Sequence, residues 1–177
     1  MKKIPHIICF IFLVTAITGC WNLQEPNQCA FVIGAGLDMT KDGQLEVSSQ
    51  VAIPAGLGSG QDMGESKGGP FTVVSAEGKD FMDAGEHLQA KLTRSLFYAH
   101  RQTILIGHRM AEHGLDKYLD MIFRNPKSEM RSVMLVVKDG TAKEILSAEP
   151  IFDPFISTTL SSMESSLGIK PFYYRYF

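Results

Sequence analysis

The chain has 177 residues, of which 45% are hydrophobic and 20% are charged. This length suits one domain of ordinary size with a real hydrophobic core. The net charge of −2 gives no basic footprint for nucleic acid, so we expect no nucleic-acid partner.

The first 20 residues predict a secretory signal. Two lysines precede a mostly apolar run over residues 4–17, which is shorter than the roughly 20 residues that a membrane span needs. The run ends in Ile17-Thr18-Gly19-Cys20, which resembles the bacterial lipobox, although Ile17 replaces the commoner leucine. The resemblance implies cleavage after Gly19 and attachment of diacylglycerol to the Cys20 thiol. An ordinary secretory signal or an uncleaved anchor is the alternative.

Removal of residues 1–19 predicts a mature protein that is held by its lipid on the outer face of a membrane. Two acyl chains on one cysteine are sufficient for stable anchoring. Residues 20–30 are predicted to form a tether between lipid and fold. Cys29 would then be the one remaining thiol, which favours a small buried hydrophobe over a disulfide.

The first half of the fold is predicted to be rich in strands. Residues 31–53 contain two apolar segments around the turn signal Lys41-Asp42-Gly43, which predicts a hairpin. The glycine-rich stretch 56–69 cannot bury enough apolar surface to offset its ordering entropy, so we expect a flexible loop. Strand character resumes over residues 71–75.

Helices and strands alternate in the second half. Phe81, Ala84, Leu88 and Leu92 follow helical spacing, and a strand is predicted over residues 102–107. The remaining predicted elements are two helices within 108–124 separated by Gly114, a central strand over 133–137, and a short helix that opens with the Thr141/Glu144 capping box.

This order predicts an α/β (α+β) fold: a mixed β-sheet of about five strands with three to four helices packed on it. We expect the domain to occupy residues 31–150. Pro150 and Pro154 end the regular pattern, so residues 151–177 are predicted to form a linker toward C-terminal domains that the chain lacks.

No segment predicts catalysis, a metal site or a cofactor. Gly34-Ala-Gly36 lacks the third glycine and the helix of a dinucleotide-binding turn, and close packing of neighbouring elements is the favoured explanation. His108 and His113 are five residues apart, whereas a metal pair on one helical face needs four. The sequence therefore favours a non-enzyme.

Five segments in fixed order resemble one protein family. They are Gly19–Asn22, Ala30–Asp38, Arg94–His100, Ile104–Gly107 and Lys138–Leu146. Together they are similar to the Ger(x)C family, the lipoprotein C subunits of nutrient germinant receptors in endospore-forming bacteria. Asn22 stands where the family more usually has aspartate. Family members are longer and carry further domains, so the chain resembles a truncated member.

The resemblance implies a non-catalytic subunit on the outer surface of the spore inner membrane, beside the polytopic A and B subunits. Within it, Arg94, Phe97 and His100 mark the most family-like stretch and are candidates for an interaction motif. The alternative is structural, with Leu96 and Phe97 packing a corner while Arg94 and His100 satisfy nearby carbonyls.

A second function stays open at this point, a lipid-anchored protein that binds a small nutrient itself. That function needs a concave, partly apolar pocket with a few convergent polar groups. An exported hydrolase is the least favoured, because the sequence offers no nucleophile, base and orienting group together.

Overall fold

The computed structural model describes residues 25–53, 69–124 and 131–167, apart from the side chains of residues 123 and 167. These ranges contain six strands, five α-helices and a short 3-10 helix over Pro26–Gln28. The strands are β1 Cys29–Met39, β2 Leu45–Ala52, β3 Phe71–Gly78, β4 Ser95–Phe97, β5 Thr103–Ile106 and β6 Val133–Val136. The helices are α1 Phe81–Ala90, α2 His108–His113, α3 Asp116–Arg124, α4 Ala142–Leu146 and α5 Ile156–Leu167.

The strands form one mixed sheet in the order β3-β2-β1-β5-β6. The β1–β2 and β2–β3 pairs are antiparallel, whereas β1–β5 and β5–β6 are parallel. The short strand β4 pairs in parallel with the beginning of β1. The predicted α/β class with a mixed sheet is confirmed, and the described residues contain more strands and helices than predicted.

The predicted hairpin is β1 and β2. Its turn is closed by the Thr40 N–H, which donates to the Gln44 carbonyl at 2.9 Å, and by the Gln44 N–H, which donates to Thr40 Oγ1 at 3.0 Å. Gly43 supplies the positive φ of 78° that side-chain-bearing residues rarely adopt. Local turn chemistry therefore fixes this register.

Alternate residues of β1 face the two sides of the sheet. Leu37 enters the larger core cluster, which also holds Leu88 of α1, Met110 of α2 and Ile122 of α3. Gly36 faces the opposite side, where an added Cβ would lie 2.9 Å from the Cβ of Ala142. The helices thus cover both faces of the sheet.

The second glycine of that strand, Gly34, also sits against a helix. An added Cβ would overlap Ser157 Oγ at the start of α5. The prediction that the Gly34-Ala-Gly36 segment permits close packing is therefore confirmed, because both positions leave no room for a side chain.

Helix α1 begins with a capped turn and ends earlier than predicted. Asp80 Oδ1 accepts hydrogen bonds from the Met82 and Asp83 N–H groups at 2.9 and 3.0 Å, which satisfies donors that the helix leaves open. The helix ends at Ala90, so the prediction that Leu92 belongs to its apolar face is wrong. Leu92 packs beyond the helix, against the cluster around Val32.

The strand predicted over residues 133–137 is present as β6, Val133–Val136, but the prediction that it is central in the sheet is wrong. Strand β6 is at the edge of the described sheet, beyond β5. Val133 is buried, but Val136 is 60% exposed. The run of five apolar residues resembled a strand covered on both faces, but its place in the sheet depends on long-range pairing.

The segment predicted to be a linker, 151–177, contains helix α5 over residues 156–167, so that prediction is wrong there. Ser157 Oγ donates to Gln50 Oε1 at 2.7 Å, and Gln50 Nε2 donates to the Leu146 carbonyl at 2.8 Å. Thr103 Oγ1 donates to the Ser157 carbonyl at 2.8 Å. These buried bonds hold α5 on the sheet.

The amino-terminal boundary also differs from the prediction. β1 starts at Cys29, within the range 20–30 predicted as a tether, and Cys29 is buried as expected for a small hydrophobe. The predicted signal, Gly19 and Cys20 lie outside the described residues, as does most of the loop predicted over 56–69. Within the described ranges, no helix has both the length and the apolar character required to cross a membrane.

Candidate functional site

The stretch Arg94–His100 follows α1 and leads into β5. The side-chain amide of Gln89 holds the backbone of this stretch with two hydrogen bonds. Gln89 Nε2 donates to the Arg94 carbonyl and Gln89 Oε1 accepts from the Leu96 N–H, each at 2.9 Å. This clamp positions β4 beside the start of β1. Leu96 packs against both neighbouring core clusters, as the structural alternative expected.

Three rings meet where β4 pairs with β1, and we call Phe31, Phe97 and His100 the aromatic cluster. The phenyl rings of Phe31 and Phe97 are 5.7 Å apart at an interplanar angle of 82°. The His100 ring lies 5.7 Å from Phe31 and 5.8 Å from Phe97. Such edge-to-face and tilted geometries are favourable aromatic contacts.

The aromatic cluster is partly open to solvent. Phe31 and Phe97 are half-buried, while His100 and Arg94 are exposed. The structure therefore brings Phe97 and His100 together and leaves Arg94 on the nearby surface. Because β1 begins at Cys29, the cluster lies at the end of the sheet where the chain arrives from its amino terminus.

A polar pocket of about 440 Å³ lies at the opposite end, next to the carboxyl end of β1 and the segments that follow β5 and β6. Ligands of α/β proteins commonly bind outside the carboxyl ends of strands. The pocket includes Asp38 at the end of β1, His108 at the start of α2, and Asp139 and Thr141 before α4.

The buried carboxylate of Asp38 is already engaged by the protein. It accepts hydrogen bonds from the Ala142 N–H at 2.8 Å and the Lys143 N–H at 3.0 Å. Burial raises the pKa of Asp38, while these two backbone donors act in the opposite direction. Asp38 thus joins the end of β1 to the first turn of α4.

The neighbouring polar groups also serve the fold. Thr141 Oγ1 accepts from the Glu144 N–H at 3.2 Å, and Glu144 Oε2 accepts from the Thr141 N–H at 3.1 Å. This is the capping box that the sequence predicted. His108 Nε2 lies 3.6 Å from Glu112 Oε1, one helical turn away.

Within residues 25–53, 69–124 and 131–167, no group of three or more histidine, cysteine, aspartate or glutamate side chains is arranged to hold a metal ion. The carboxylates near α1 are similarly occupied, because Asp80 caps that helix and Asp83 Oδ2 accepts from the Lys79 N–H at 2.9 Å. These contacts are structural.

Sequence comparison relates this arrangement to known proteins. Residues 22–174 match the family described as the spore germination protein N-terminal domain. The chain belongs to this family. The family match covers β1 to α5, including the aromatic cluster and the Asp38 junction with α4.

Several relatives of the spore germination family occur in Bacillus subtilis (strain 168). The chain is 33% identical to a putative spore germination protein, YfkR, over 86% of its own length and 38% of that protein. It is 26% identical to spore germination protein KC over 95% of its length and 43% of that protein, and 24% identical to spore germination protein B3 over 85% and 39%. No solved structure matches the chain.

Two features of the site were not predicted from the sequence. The role of Asp38 depends on Ala142, which is 104 residues away. Its one sequence signal is that an acidic residue lies near the end of a buried strand. The Gln50–Ser157 bond also joins distant residues. Neither pairing leaves a local pattern.

Proposed function

We propose that this chain forms the amino-terminal part of a lipid-anchored C subunit of a nutrient germinant receptor, needed for nutrient-triggered spore germination. The family match over residues 22–174 carries the proposal. The matching relatives are described as spore germination proteins. Because the chain spans only 38–43% of these relatives, the receptor, its nutrients and its partners are part of the proposal.

The proposed anchor is diacylglycerol on Cys20, after cleavage at Gly19. The family match begins at residue 22, two residues after this cysteine. A lipid there would hold the domain on the outer face of the spore inner membrane, with residues 20–28 as the tether that leads into β1. Residues 29–167 would form the membrane-proximal domain.

The proposed partners are the membrane-embedded A and B subunits, and the proposed contact is the aromatic cluster with Arg94. Two observations support this surface. His100 and Arg94 are exposed, and the cluster lies at the end of the sheet where β1 begins. Aromatic and arginine side chains are also enriched among the residues that dominate protein interfaces.

Replacement of Cys20 by alanine in spores that carry this gene as the sole copy tests the anchor. We expect the protein to leave the membrane fraction and nutrient-triggered germination to fall, while Cys29→Ala, which alters a buried thiol, retains both. Normal germination of Cys20→Ala spores with the protein still membrane-bound would contradict the proposal.

The contact surface has its own test. His100→Ala should reduce co-purification of the A and B subunits at least several-fold, because it removes one exposed ring of the aromatic cluster. His113→Ala is the matched control, since His113 is an exposed histidine at the end of α2. Equal recovery of both subunits with the two variants would exclude the aromatic cluster as the contact.

A further inference from the structure

A second cavity lies on the face of the sheet opposite helices α4 and α5. It has a volume of about 280 Å³ and is bordered by α1, by Ile122 of α3 and by the β4–β5 region. The described residues on its apolar side include Phe81 and Met82, and Leu96 lines it near the sheet. Met82 is 60% exposed, so much of its side chain is accessible to solvent.

Gly85 lines this cavity, and packing does not require a glycine at this position. It lies inside α1, where glycine is less favourable than alanine by about 1 kcal/mol. A Cβ added at Gly85 meets no atom within 4 Å. By contrast, a Cβ at Gly78 would overlap the backbone nitrogen of Ala84, so packing accounts for Gly78 but not for Gly85.

The chemistry of the cavity wall favours an aromatic ligand. Arg101, which is 8% exposed, contributes to the wall, and its Nε donates to Ser132 Oγ at 3.1 Å. A guanidinium plane stacks on aromatic rings while its edge bonds to other groups. The Met82 thioether also makes favourable contacts with ring edges.

We propose that this cavity binds a small aromatic molecule of one or two rings. An apolar cavity of about 150 Å³ is sufficient for benzene, so 280 Å³ accommodates a substituted ring or a bicyclic one. Gly85 keeps the space open for the ring. This cavity would be the site of the small-molecule binding that was considered from the sequence. The proposal does not depend on the lipid anchor or on a role in germination.

Calorimetry on the full chain in lipid nanodiscs tests the site, with empty nanodiscs as the blank. The probes are benzyl alcohol and cyclohexylmethanol, which have similar size but differ in aromaticity. We expect saturable binding of benzyl alcohol that is at least fivefold tighter than that of cyclohexylmethanol. Equal affinity for the two alcohols, or no saturable heat with benzyl alcohol, would overturn the proposal.

Gly85→Leu places a side chain in the cavity and should weaken benzyl alcohol binding at least tenfold. Lys117→Leu adds the same side chain at an exposed position of α3 and should leave binding unchanged. Thermal unfolding establishes that both variants fold. Unchanged binding of benzyl alcohol by folded Gly85→Leu would refute the site. The proposal would also be refuted if benzyl alcohol does not bind the original chain and Gly85→Leu loses a co-purifying protein, because the cavity would then be a protein contact.

Discussion

Glycine has opposite roles in two regions of this molecule. Along β1, Gly34 and Gly36 face α5 and α4 so closely that neither position has room for a side chain. In α1, Gly85 faces open space beside a cavity. The first region shows glycine required by packing, and the second shows glycine that packing does not explain. The difference separates a face of the sheet that packing fills from a helix surface that packing leaves open.

The largest expected effect comes from filling the packed region. Gly34→Ala should lower the free energy of unfolding by about 3 kcal/mol, because overpacking forces neighbouring atoms to move. The new Cβ overlaps Ser157 Oγ. Chemical denaturation measures the change.

Two further variants make this experiment specific. Gly140→Ala is the control, since its Cβ would meet its nearest neighbour, Val137, at 3.4 Å, and it should be nearly neutral. Adding Ser157→Gly to Gly34→Ala should recover part of the loss. If Gly34→Ala were as stable as the original chain, the close contact between β1 and α5 would be wrong.

The next effect tests the polar bonds that hold α5 beside those glycines. Gln50→Leu should cost about 3 kcal/mol, because it leaves the buried Leu146 carbonyl and Ser157 hydroxyl without Gln50 as their partner. Hydrogen exchange should accelerate in α5 more than in α1. Gln102→Leu, at an exposed position, is the control and should change the free energy of unfolding by less than about 0.5 kcal/mol. A similar loss of stability in Gln50→Leu and Gln102→Leu would contradict the assigned role of Gln50.

A smaller effect concerns Asp38, which joins β1 to α4 at the carboxyl end of the same region. Because burial raises its pKa above 3.8, ionisation is less favourable in the folded chain than in the unfolded one. Its contribution to stability is therefore complete below pH 3.8 and is lost as the pH rises through the folded-state pKa. A tenfold difference in proton affinity corresponds to about 1.4 kcal/mol.

Asp38→Asn removes this titration while one oxygen remains to accept the Ala142 N–H. The stability of the variant relative to the original chain should therefore increase as the pH rises from below 3.8. Denaturation at a series of pH values measures the difference, and a constant or decreasing difference for Asp38→Asn would refute the assigned pKa direction.

The smallest expected effect comes from the open region around Gly85 in α1. Gly85→Ala should raise the free energy of unfolding by about 0.5–1 kcal/mol, since alanine is the better helix residue and its methyl group meets open space. Thermal and chemical denaturation can resolve a gain of this size. A loss of stability would show that packing does constrain Gly85, and the two regions would then not differ.

The accuracy of the sequence predictions follows the range of the interactions involved. The β1–β2 hairpin and the Thr141/Glu144 capping box depend on residues close in the chain, and both were predicted correctly. The edge position of β6 and the docking of α5 depend on pairing between distant residues, such as Gln50 and Ser157. Those two predictions were wrong because proline positions and a run of apolar residues do not encode such contacts.

The same distinction applies to the candidate sites. Phe97 and His100 could be singled out by family resemblance, but their contact with Phe31 required the parallel pairing of β4 with β1. The cavity beside Gly85 depends on the spacing of two helices on the sheet. A glycine inside a predicted helix was its one local sign.

Mass spectrometry of the amino-terminal peptide from the membrane fraction tests the central claim most directly. The account predicts a chain that begins at Cys20, with diacylglycerol in thioether linkage to its sulfur. Recovery of a peptide that contains residues 19 and 20 still joined, with an unmodified thiol, would contradict it.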